Sequence, residues 1–422
     1  MDRRSKGILK NVEWKLIIAW LFLVLVGWIS IYAAVYDSEH SNIFDFSCRY
    51  GKQMIWIATS LVIALFVMII DPKFFSQTSY LIYIICIGLL VLVLGVATAT
   101  KGAKSWLGIG EFGIQPSEFA KLATALALAK FLSAINIDMK EWGTKLTAIG
   151  IITLPMLLVL LQNDTGSALV FLSFIFVLFR EGLSSIVLIF GATAIVLFIL
   201  ALVVNPYILI GILLVLTLFS YFIVHSHNRK VKFIYFLGIF AFCSIVVAGV
   251  QFGYNEILEE HQKVRIGVLL GQIEDPKGVG YNVDQSKIAI GSGGFIGKGF
   301  LQGTQTKFNF VPEQDTDFIF CTIGEEWGFI GSTLIMFVFI WLCVKIIKMA
   351  ERQRSNFARI YGYGIASVIF FHVMVNIGMT IGLLPVIGIP LPFLSYGGSS
   401  LWAFTLMLFI FIRQDASRSD LV

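Results

Sequence analysis

One polar stretch interrupts a chain that is otherwise almost continuously apolar. Residues 275–317 read DPKGVGYNVDQSKIAIGSGGFIGKGFLQGTQTKFNFVPEQDTD. A segment so rich in Gly, Gln, Thr and Asp cannot bury enough apolar surface to face lipid, so it belongs in water, against headgroups or over a cavity in the protein. The apolar sequence on both sides indicates a membrane fold, and this stretch is the first place to look for function.

The composition excludes a soluble globular protein. Hydrophobic residues make up 58% of the 422 residues and charged residues only 14%, whereas soluble domains have roughly a quarter charged residues. The net charge of +5 is typical of a membrane protein with basic cytoplasmic loops, so it does not indicate a nucleic-acid partner. The five cysteines have no spacing that is typical of a disulfide framework or a zinc site.

Apolar runs of spanning length predict the fold class: all-α, a polytopic transmembrane helical bundle of about twelve spans that forms a single integral membrane domain over residues 1–422. The runs are residues 15–35, 53–70, 79–98, 117–134, 145–162, 165–180, 184–204, 206–224, 232–252, 318–344, 360–382 and 400–413. Lys and Arg concentrate in alternate loops, so the positive-inside rule places those loops and both termini in the cytoplasm. Residues 253–317 then form a large extracytoplasmic loop.

A second outward segment, residues 383–400, contains LPVIGIPLPFLSYGGSS and is apolar enough to enter the membrane. It is too rich in Pro and Gly for a regular helix, and such backbone is tolerated at membrane depth only where protein buries it or where it lines a cavity. We predict a re-entrant element packed beneath the large loop, with Ser395 and Ser399 as available donors. His372 and Asn376 in the preceding span are placed to support it, although a satisfied core histidine is the favoured interpretation of His372.

The fourth apolar run begins with Gln-Pro-Ser-Glu and carries a lysine one turn inside it. Pro, Ser and Glu118 suit the start of a helix, so a structural cap alone would explain them. Lys121 lies three residues after Glu118, hence on the same helix face, where an unpaired charge costs about 2.5 to 3.5 kcal/mol in lipid. We therefore predict a Glu118–Lys121 ion pair that faces an internal cavity, with simple snorkelling of Lys121 to the interface as the alternative.

Other charged groups near the outward side leave two interpretations open. Asp164 is either only the N-cap of the next helix or part of a cavity-lining site. Arg49 and Lys52, at the mouth of the second span, either contact phosphate or merely mark the membrane interface.

The large loop supplies the candidate base. Asp275 stands in Asp-Pro-Lys-Gly, a turn signature that would by itself explain the aspartate. A carboxylate held by a rigid turn over a cavity with Lys121, Lys287 or Arg49 is also what general-base chemistry on a phosphorylated lipid needs. Gln285 is a further substrate-binding candidate. The run GSGGFIGK at residues 291–298 misses the phosphate-binding patterns, so we do not predict a nucleotide site.

These motifs, in this order, resemble the SEDS family (shape, elongation, division, sporulation) of cell-envelope proteins. The resemblance is carried by QPSE with Lys121, QNDTGSAL, DPKGVGYNVDQSKIAIGSGG, VPEQDTDFIF, GEEWGFIG and LPVIGIPLPFLSYGGSS, which together span most of residues 100–413. Within the family, the sequence is more similar to the rod-shape branch than to the division branch. The family usually has ten spans, seven of them before the large loop, so the nine counted here imply an extra transmembrane hairpin at residues 205–252.

The resemblance implies a peptidoglycan glycosyltransferase that polymerises lipid II at the outer face of the bacterial cytoplasmic membrane. By the same resemblance, Asp275 is the essential aspartate of the large loop, Glu118 and Lys121 are the interacting pair of the fourth helix, and Asp164 is the aspartate after the fifth. A class B penicillin-binding protein, a transpeptidase, is the implied partner. A divalent cation, Mg or Mn, is one candidate for stabilising the leaving pyrophosphate, beside Arg49 and Lys52.

Two other functions remain open at this stage. A lipid II flippase would use the same intramembrane charges, but it would need polar groups along the full membrane depth, whereas here they concentrate in the outer half. A scaffold that only anchors a synthase would need no base at Asp275.

Overall fold

A computed structural model describes residues 11–36, 45–96, 105–109, 112–224, 229–258, 260–271, 279–307 and 310–418. The helices, in chain order, are α1 (Trp14–Ala34), α2 (Arg49–Ile69), α3 (Pro72–Val96), α4 (Pro116–Leu132), α5 (Trp142–Leu161), α6 (Thr165–Val170), α7 (Ile175–Arg180), α8 (Ser185–Val203), α9 (Pro206–Ile223), α10 (Arg229–Phe252), α11 (Glu260–Leu269), α12 (Val279–Ser292), α13 (Thr304–Lys307), α14 (Ile319–Glu351), α15 (Asn356–Thr380) and α16 (Gly398–Ala416). A 3-10 turn, Phe171–Phe174, joins α6 to α7, and one π-helical turn, Gly253–Ile257, follows α10.

The helical fold class is confirmed, and each of the twelve predicted apolar runs contains helix. Among the described residues, nine helices are long and apolar enough to cross a membrane. The others in these runs are α4, α16 and the broken α6–α7 segment, which the predicted count of twelve had included. Helix α4 is almost wholly buried, and its alanines at positions 120, 123, 125, 127 and 129 let neighbouring helices approach closely. The chain is a multi-pass membrane protein.

The packing divides the predicted single domain into two compact units, Met1–Gly182 with Tyr281–Val422, and Leu183–Gly280. The core of the first unit is formed by α4, α15 and α16, which are largely buried. In the second unit, α8, α9 and α10 pack around a small apolar cluster and expose most of their surface, as lipid-facing helices do. The predicted extra hairpin corresponds to α9 and α10, and its status as an addition to the family fold stays a prediction.

Two short strands precede α4. Strands β1 (Leu107–Ile109) and β2 (Phe112–Ile114) pair antiparallel, with Leu107 opposite Ile114. Three-residue strands are too short to show an alternating pattern, so the sequence did not predict them. Gln115 directly follows β2 and is the N-cap residue of α4.

The predicted large loop is largely helical where it is described, because it contains α11, α12 and α13. Its glycine-rich part, residues 294–299, is hydrogen-bonded to α14 at a break in that helix. There the helix is interrupted at Gly328, which has φ 61° and ψ −157°. Lys298 and Gly299 donate backbone N–H groups to the carbonyls of Glu325 and Glu326, each at 3.0 Å.

The backbone groups on the far side of this interruption are also satisfied. Phe329 and Ile330 donate to the carbonyls of Gly294 and Phe295, at 3.0 and 3.2 Å. The inserted segment thus replaces the hydrogen bonds that the helix gives up, as buried backbone requires. A Cβ at Gly328 would lie 2.3 Å from the nitrogen of Gly297, so only glycine fits.

Candidate functional site

The non-helical segment between α15 and α16 is bonded to the stretch that precedes α14. Ser395 Oγ accepts from the N–H of Leu391 at 2.8 Å and donates to the carbonyl of Thr316 at 2.6 Å. The N–H of Tyr396 donates to the carbonyl of Asp315 at 2.8 Å. The predicted re-entrant segment is therefore packed against the last residues of the large loop.

Helix α15 holds the same segment from its other side. Asn376 Nδ2 donates to the carbonyls of Asp317 and Ile389, both at 2.8 Å. His372 Nδ1 lies 3.0 Å from the carbonyl oxygen of Pro390. Both side chains are fully buried, so the predicted support by His372 and Asn376 is present. Irregular backbone at this depth is satisfied by side chains of a neighbouring helix.

The predicted ion pair in α4 is present and belongs to a larger cluster. Lys121 Nζ lies 2.7 Å from Glu118 Oε1 and 2.9 Å from His372 Nε2. It also lies 5.5 Å from the centre of the Phe404 ring, within cation–π range. The side chains of the pair are only 0% and 1% exposed, so the expected cavity at this pair is not open to solvent.

Gln115 joins three of the motifs that the sequence singled out. Its Nε2 donates to Asp164 Oδ2 at 2.9 Å, and its backbone N–H donates to Ser399 Oγ at 3.1 Å. Asp164 Oδ1 accepts from the N–H of Ser167 at 3.0 Å, which makes Asp164 the N-cap of α6. One oxygen of Asp164 caps a helix and the other accepts from Gln115, so Asp164 is more than a cap, and its cavity-lining role stays a prediction.

Close backbone packing completes this junction. A Cβ at Gly166 would lie 2.2 Å from the carbonyl oxygen of Ile387 in the re-entrant segment. The small residues after Asp164 thus allow the close approach for which their size is suited. The junction joins the start of α4, the start of α6 and the segment before α16.

Arg49 is engaged in an ion pair at the start of α2. Its Nη1 donates to both carboxylate oxygens of Asp315 at 2.8 Å, and the guanidinium lies 5.9 Å from the Tyr396 ring centre. The Arg49 side chain is 51% exposed, whereas Asp315 is 3% exposed. A guanidinium has five N–H donors, so this pair leaves capacity for an anion. Lys52 is half-buried one turn along.

Helix α12 brings the remaining candidates to the end of α15. Ser286 Oγ donates to the carbonyl of Thr380 at 2.9 Å. Lys287 pairs with Asp284 at 2.8 Å, with both side chains about half exposed or more, and its aliphatic part packs over Gly382. Gln285 is half-buried. The predicted base Asp275 lies outside the described residues.

Sequence reasoning missed a buried carboxylate, Glu325. Its two oxygens accept from the backbone N–H groups of Thr304, Gln305 and Thr306 at 2.8 to 2.9 Å, and Lys298 Nζ lies 2.6 Å away. The carboxylate thus holds the first turn of α13, where it complements the free N–H groups and the helix dipole. Two adjacent glutamates in an otherwise apolar run were the available signal for this role.

The described ranges contain no group of three or more His, Cys, Asp and Glu side chains that could hold a metal ion. Two of the carboxylates near these motifs are already engaged, Asp315 by Arg49 and Asp164 by Gln115. These described residues do not form a divalent-cation site by themselves.

Comparisons with known proteins place the chain in a family. The family model for the FtsW/RodA/SpoVE cell cycle proteins matches residues 13–208 and 210–419. Peptidoglycan glycosyltransferase RodA of Treponema pallidum is 32% identical, over 94% of this chain and 96% of the relative. Peptidoglycan glycosyltransferase MrdB of Escherichia coli K12 is 38% identical, over 82% of this chain and 80% of the relative.

A solved structure shows the same fold. A chain described with the structural coordination of polymerization and crosslinking by a peptidoglycan synthase complex superposes with a TM-score of 0.71 at 25% identity. The superposition covers 97% of this chain and 99% of that chain. Sequence and structure agree along nearly the whole length, and the chain therefore belongs to the FtsW/RodA/SpoVE family of cell cycle proteins.

Proposed function

We propose that this protein is a peptidoglycan glycosyltransferase that polymerises lipid II into glycan strands at the outer face of the cytoplasmic membrane, for cell elongation and shape. One observation carries the proposal: the motif residues Gln115, Asp164 and Ser399 are hydrogen-bonded together in a family whose curated relatives bear this activity in their names. The same re-entrant segment also reaches the Glu118–Lys121 pair through His372. These hydrogen bonds between motifs that carry the family resemblance support the proposal of one site.

In the proposed reaction, Asp275 removes the proton from the acceptor sugar hydroxyl of lipid II. The hydroxyl oxygen then attacks the anomeric carbon of the lipid-linked donor strand with inversion, and the bond to the pyrophosphate breaks. Undecaprenyl pyrophosphate leaves with the bonding electrons. Arg49, Lys52 and Lys121 are the candidate cations for this charge, because fixed positive groups stabilise a leaving group without reorganisation.

The remaining candidates have binding roles in this proposal. Glu118 holds Lys121, and Asp164, Ser395 and Ser399 hold the walls of the site through the bonds described above. Gln285 and Lys287, on α12 of the large loop, bind the substrate. A divalent cation, Mg or Mn, stays a prediction that a chelator tests directly.

The deciding experiment measures polymerisation of purified lipid II by the wild type and by Asp275→Ala, in the presence of the partner. Asp138→Ala is a matched control, because Asp138 is an exposed turn residue whose side chain bonds only the N–H of Lys140 among the described residues. We expect strands from the wild type and the control but none from Asp275→Ala, with lipid II binding retained. Strands from Asp275→Ala would remove the general base from the mechanism.

A third arm adds a cation chelator. Loss of strands that added Mg or Mn restores would support a cation in the reaction, and unchanged synthesis would exclude one. If the wild type makes no strands but lipid II still crosses vesicle membranes, the flippase alternative replaces the proposal.

The partner and the orientation belong to the same proposal. The structural neighbour from a peptidoglycan synthase complex supports a partner that crosslinks strands, and a class B penicillin-binding protein is the transpeptidase we propose. Alternate basic loops support cytoplasmic N and C termini. Alkaline phosphatase fused at the C terminus should be inactive, and an active fusion would reverse the orientation.

A further inference from the structure

His372 is bonded at both ring nitrogens although it is fully buried in α15. Its Nδ1 is 3.0 Å from the carbonyl oxygen of Pro390, and its Nε2 is 2.9 Å from Lys121 Nζ. A carbonyl can only accept, so Nδ1 carries the hydrogen, and an ammonium can only donate, so Nε2 accepts. The two contacts together fix a neutral imidazole protonated at Nδ1.

This tautomer completes the environment of a buried ammonium. Lys121 donates to Glu118 Oε1 and to His372 Nε2, and a third direction is occupied by the Phe404 ring. The lysine side chain is long and flexible, so a single acceptor would leave the position of Nζ loosely determined. Two acceptors from different helices, α4 and α15, fix it.

The same ring connects the ion pair to the re-entrant segment, through Pro390. Packing does not require this arrangement, because Asn376, one turn further along α15, already binds the carbonyls of Ile389 and Asp317. The ring also packs edge-on against Phe404, with centres 4.9 Å apart, which an apolar side chain would do equally well. The acceptor that Nε2 offers to Lys121 is the part of His372 that neither anchoring nor packing explains.

We propose that His372 is a positioning residue for glycosyl transfer: it holds the Lys121 ammonium against Glu118 and couples this pair to the re-entrant segment at Pro390. The inference rests on the proposed function, because the transfer reaction is what a fixed Lys121 would serve. His372 touches neither the substrate nor the reacting atoms in this proposal. It acts through Lys121.

Two substitutions distinguish the contributions of the two ring nitrogens of His372. In His372→Gln, the side-chain amide reaches the position of Nε2, so an acceptor for Lys121 is kept while the donor to Pro390 is lost. In His372→Asn, the shorter amide reaches the position of Nδ1, so the donor to Pro390 is kept while the acceptor for Lys121 is lost. A merely structural histidine would not discriminate between them by nitrogen.

We expect the two variants to turn over lipid II at different rates. Because a displacement of about 1 Å can cost about 100-fold in rate, we expect His372→Asn to lower kcat at least about 30-fold, with KM within about twofold of the wild type. His372→Gln should keep at least about a third of the wild-type kcat, since its acceptor still fixes Lys121. Rescue by glutamine and not by asparagine is the signature of positioning.

Tyr361→Phe is the matched control. Tyr361 lies in the same helix, is fully buried, and donates its hydroxyl to the carbonyl of Met407 at 3.2 Å. Its loss removes one buried hydrogen bond to a backbone carbonyl, as His372→Gln does. The two variants should unfold at similarly lowered temperatures, and Tyr361→Phe should keep the wild-type kcat.

Nitrogen-15 NMR of histidine-labelled protein in lipid nanodiscs tests the contact without any reaction. The resonances of His372 are those absent from His372→Gln, and they should show a protonated Nδ1 and an unprotonated Nε2. In Lys121→Met the Nε2 resonance should shift, because it loses its donor. A ring protonated at Nε2 would overturn the proposal.

The activity measurements distinguish a failure of this proposal from a failure of the function on which it rests. If the wild type makes strands and His372→Asn makes them at the same rate, or if the Asn and Gln variants lose turnover equally, only the positioning role is refuted. If the wild type makes no strands, the proposed function itself fails, and the positioning role fails with it. The difference in turnover described above, together with the Nδ1–H tautomer, supports both.

Discussion

Two buried carboxylates in the first unit differ in how completely their oxygens are hydrogen-bonded. Asp415, near the end of α16, is fully buried and both of its oxygens are used. Oδ1 accepts from Arg352 Nε at 3.1 Å and Gln353 Nε2 at 2.7 Å, and Oδ2 accepts from Arg352 Nη2 at 2.6 Å and Arg418 Nη1 at 2.9 Å. Glu118, in the first turn of α4, uses one oxygen, and among the described residues its buried Oε2 has no hydrogen-bond partner.

The difference indicates two kinds of site. Asp415 has redundant donors that reach the surface, since Arg352 and Arg418 are about a third exposed, and this arrangement joins the turn after α14 to the end of α16. Glu118 and Lys121 form a charge pair in the interior, and one oxygen of Glu118 can still accept a hydrogen bond. Stability alone would not retain such a pair, because buried ion pairs are often no more stabilising than apolar residues of the same volume. We propose that the first site serves the fold and the second serves the reaction.

The largest expected effect comes from replacing the interior pair. Lys121→Met leaves Glu118 without its partner and should cost about 3 to 5 kcal/mol of unfolding free energy. The double variant Glu118→Leu with Lys121→Met should recover most of that stability, because no buried charge remains. Strand synthesis from lipid II should nevertheless fall at least about 100-fold in both. Thermal unfolding in detergent and a strand-length gel measure the two quantities, and a double variant that polymerises normally would make the pair purely structural.

Asp415→Ala should have the reverse profile. It removes the carboxylate that four donor contacts share, and we expect a loss of about 3 kcal/mol, at the lower end for buried pairs because the arginines can turn to water. Strand synthesis per folded molecule should stay within about twofold of the wild type, since the cluster supplies no group to the proposed reaction. A specific activity that falls with Asp415→Ala at full folding would abolish the distinction between the two sites.

Removing one donor from Asp415 tests the redundancy. Arg418→Met leaves Oδ2 bonded to Arg352, so the cost should be that of a single hydrogen bond, about 0.5 to 1.5 kcal/mol. Chemical unfolding of this variant beside Asp415→Ala gives the comparison. Equal losses in the two variants would mean that Arg418, and not the whole cluster, holds the carboxylate.

The smallest effect concerns Glu13, which extends the Asp415 cluster to the start of α1. Its hydrogen bond to Lys345, with a further bond to Arg352, holds the pKa of Glu13 below its ordinary value of 4.5. A lowered pKa stabilises the folded state above about pH 4.5, and this contribution disappears as the pH falls through the folded-state pKa.

Glu13→Gln should therefore unfold more easily at pH 7, by about 0.2 to 1 kcal/mol as for other pairs near the surface. The gap to the wild type should close in acid, and unfolding temperatures between pH 3 and pH 7 measure it. A gap that does not change with pH would show that the charge of Glu13 is irrelevant.

The helices and the ion pair could be predicted because local rules decide them. Hydrocarbon demands continuous apolar runs, so all twelve runs contain helix, and the i, i+3 spacing alone places Glu118 beside Lys121. The non-helical backbone before α16 followed from Pro and Gly in an apolar stretch, and its bonds to His372 and Asn376 followed from two polar side chains one turn apart, while its re-entrant course stays a prediction. Each of these conclusions needs only neighbours in sequence.

The contacts that were missed join distant parts of the chain. Lys121 meets His372 across 251 positions, and Gln115 meets Ser399 across 284, so no local pattern reports either. The interruption of α14 was missed for another reason: Gly328 is tolerated inside a helical run at a cost of about 1 kcal/mol and does not by itself indicate a break. Only the inserted backbone of residues 294–299 explains why the helix stops there.

The interruption of α14 also divides the helix by length. From Phe329 to Glu351 the helix is about 34 Å long, but its last two turns carry Lys345, Lys348 and Glu351. The apolar part, residues 329–344, is about 24 Å long, which is shorter than the ~30 Å hydrocarbon core, so the apolar layer would extend past Gly328. The backbone bonds that residues 294–299 make to the broken helix would then form where little water is available to replace them.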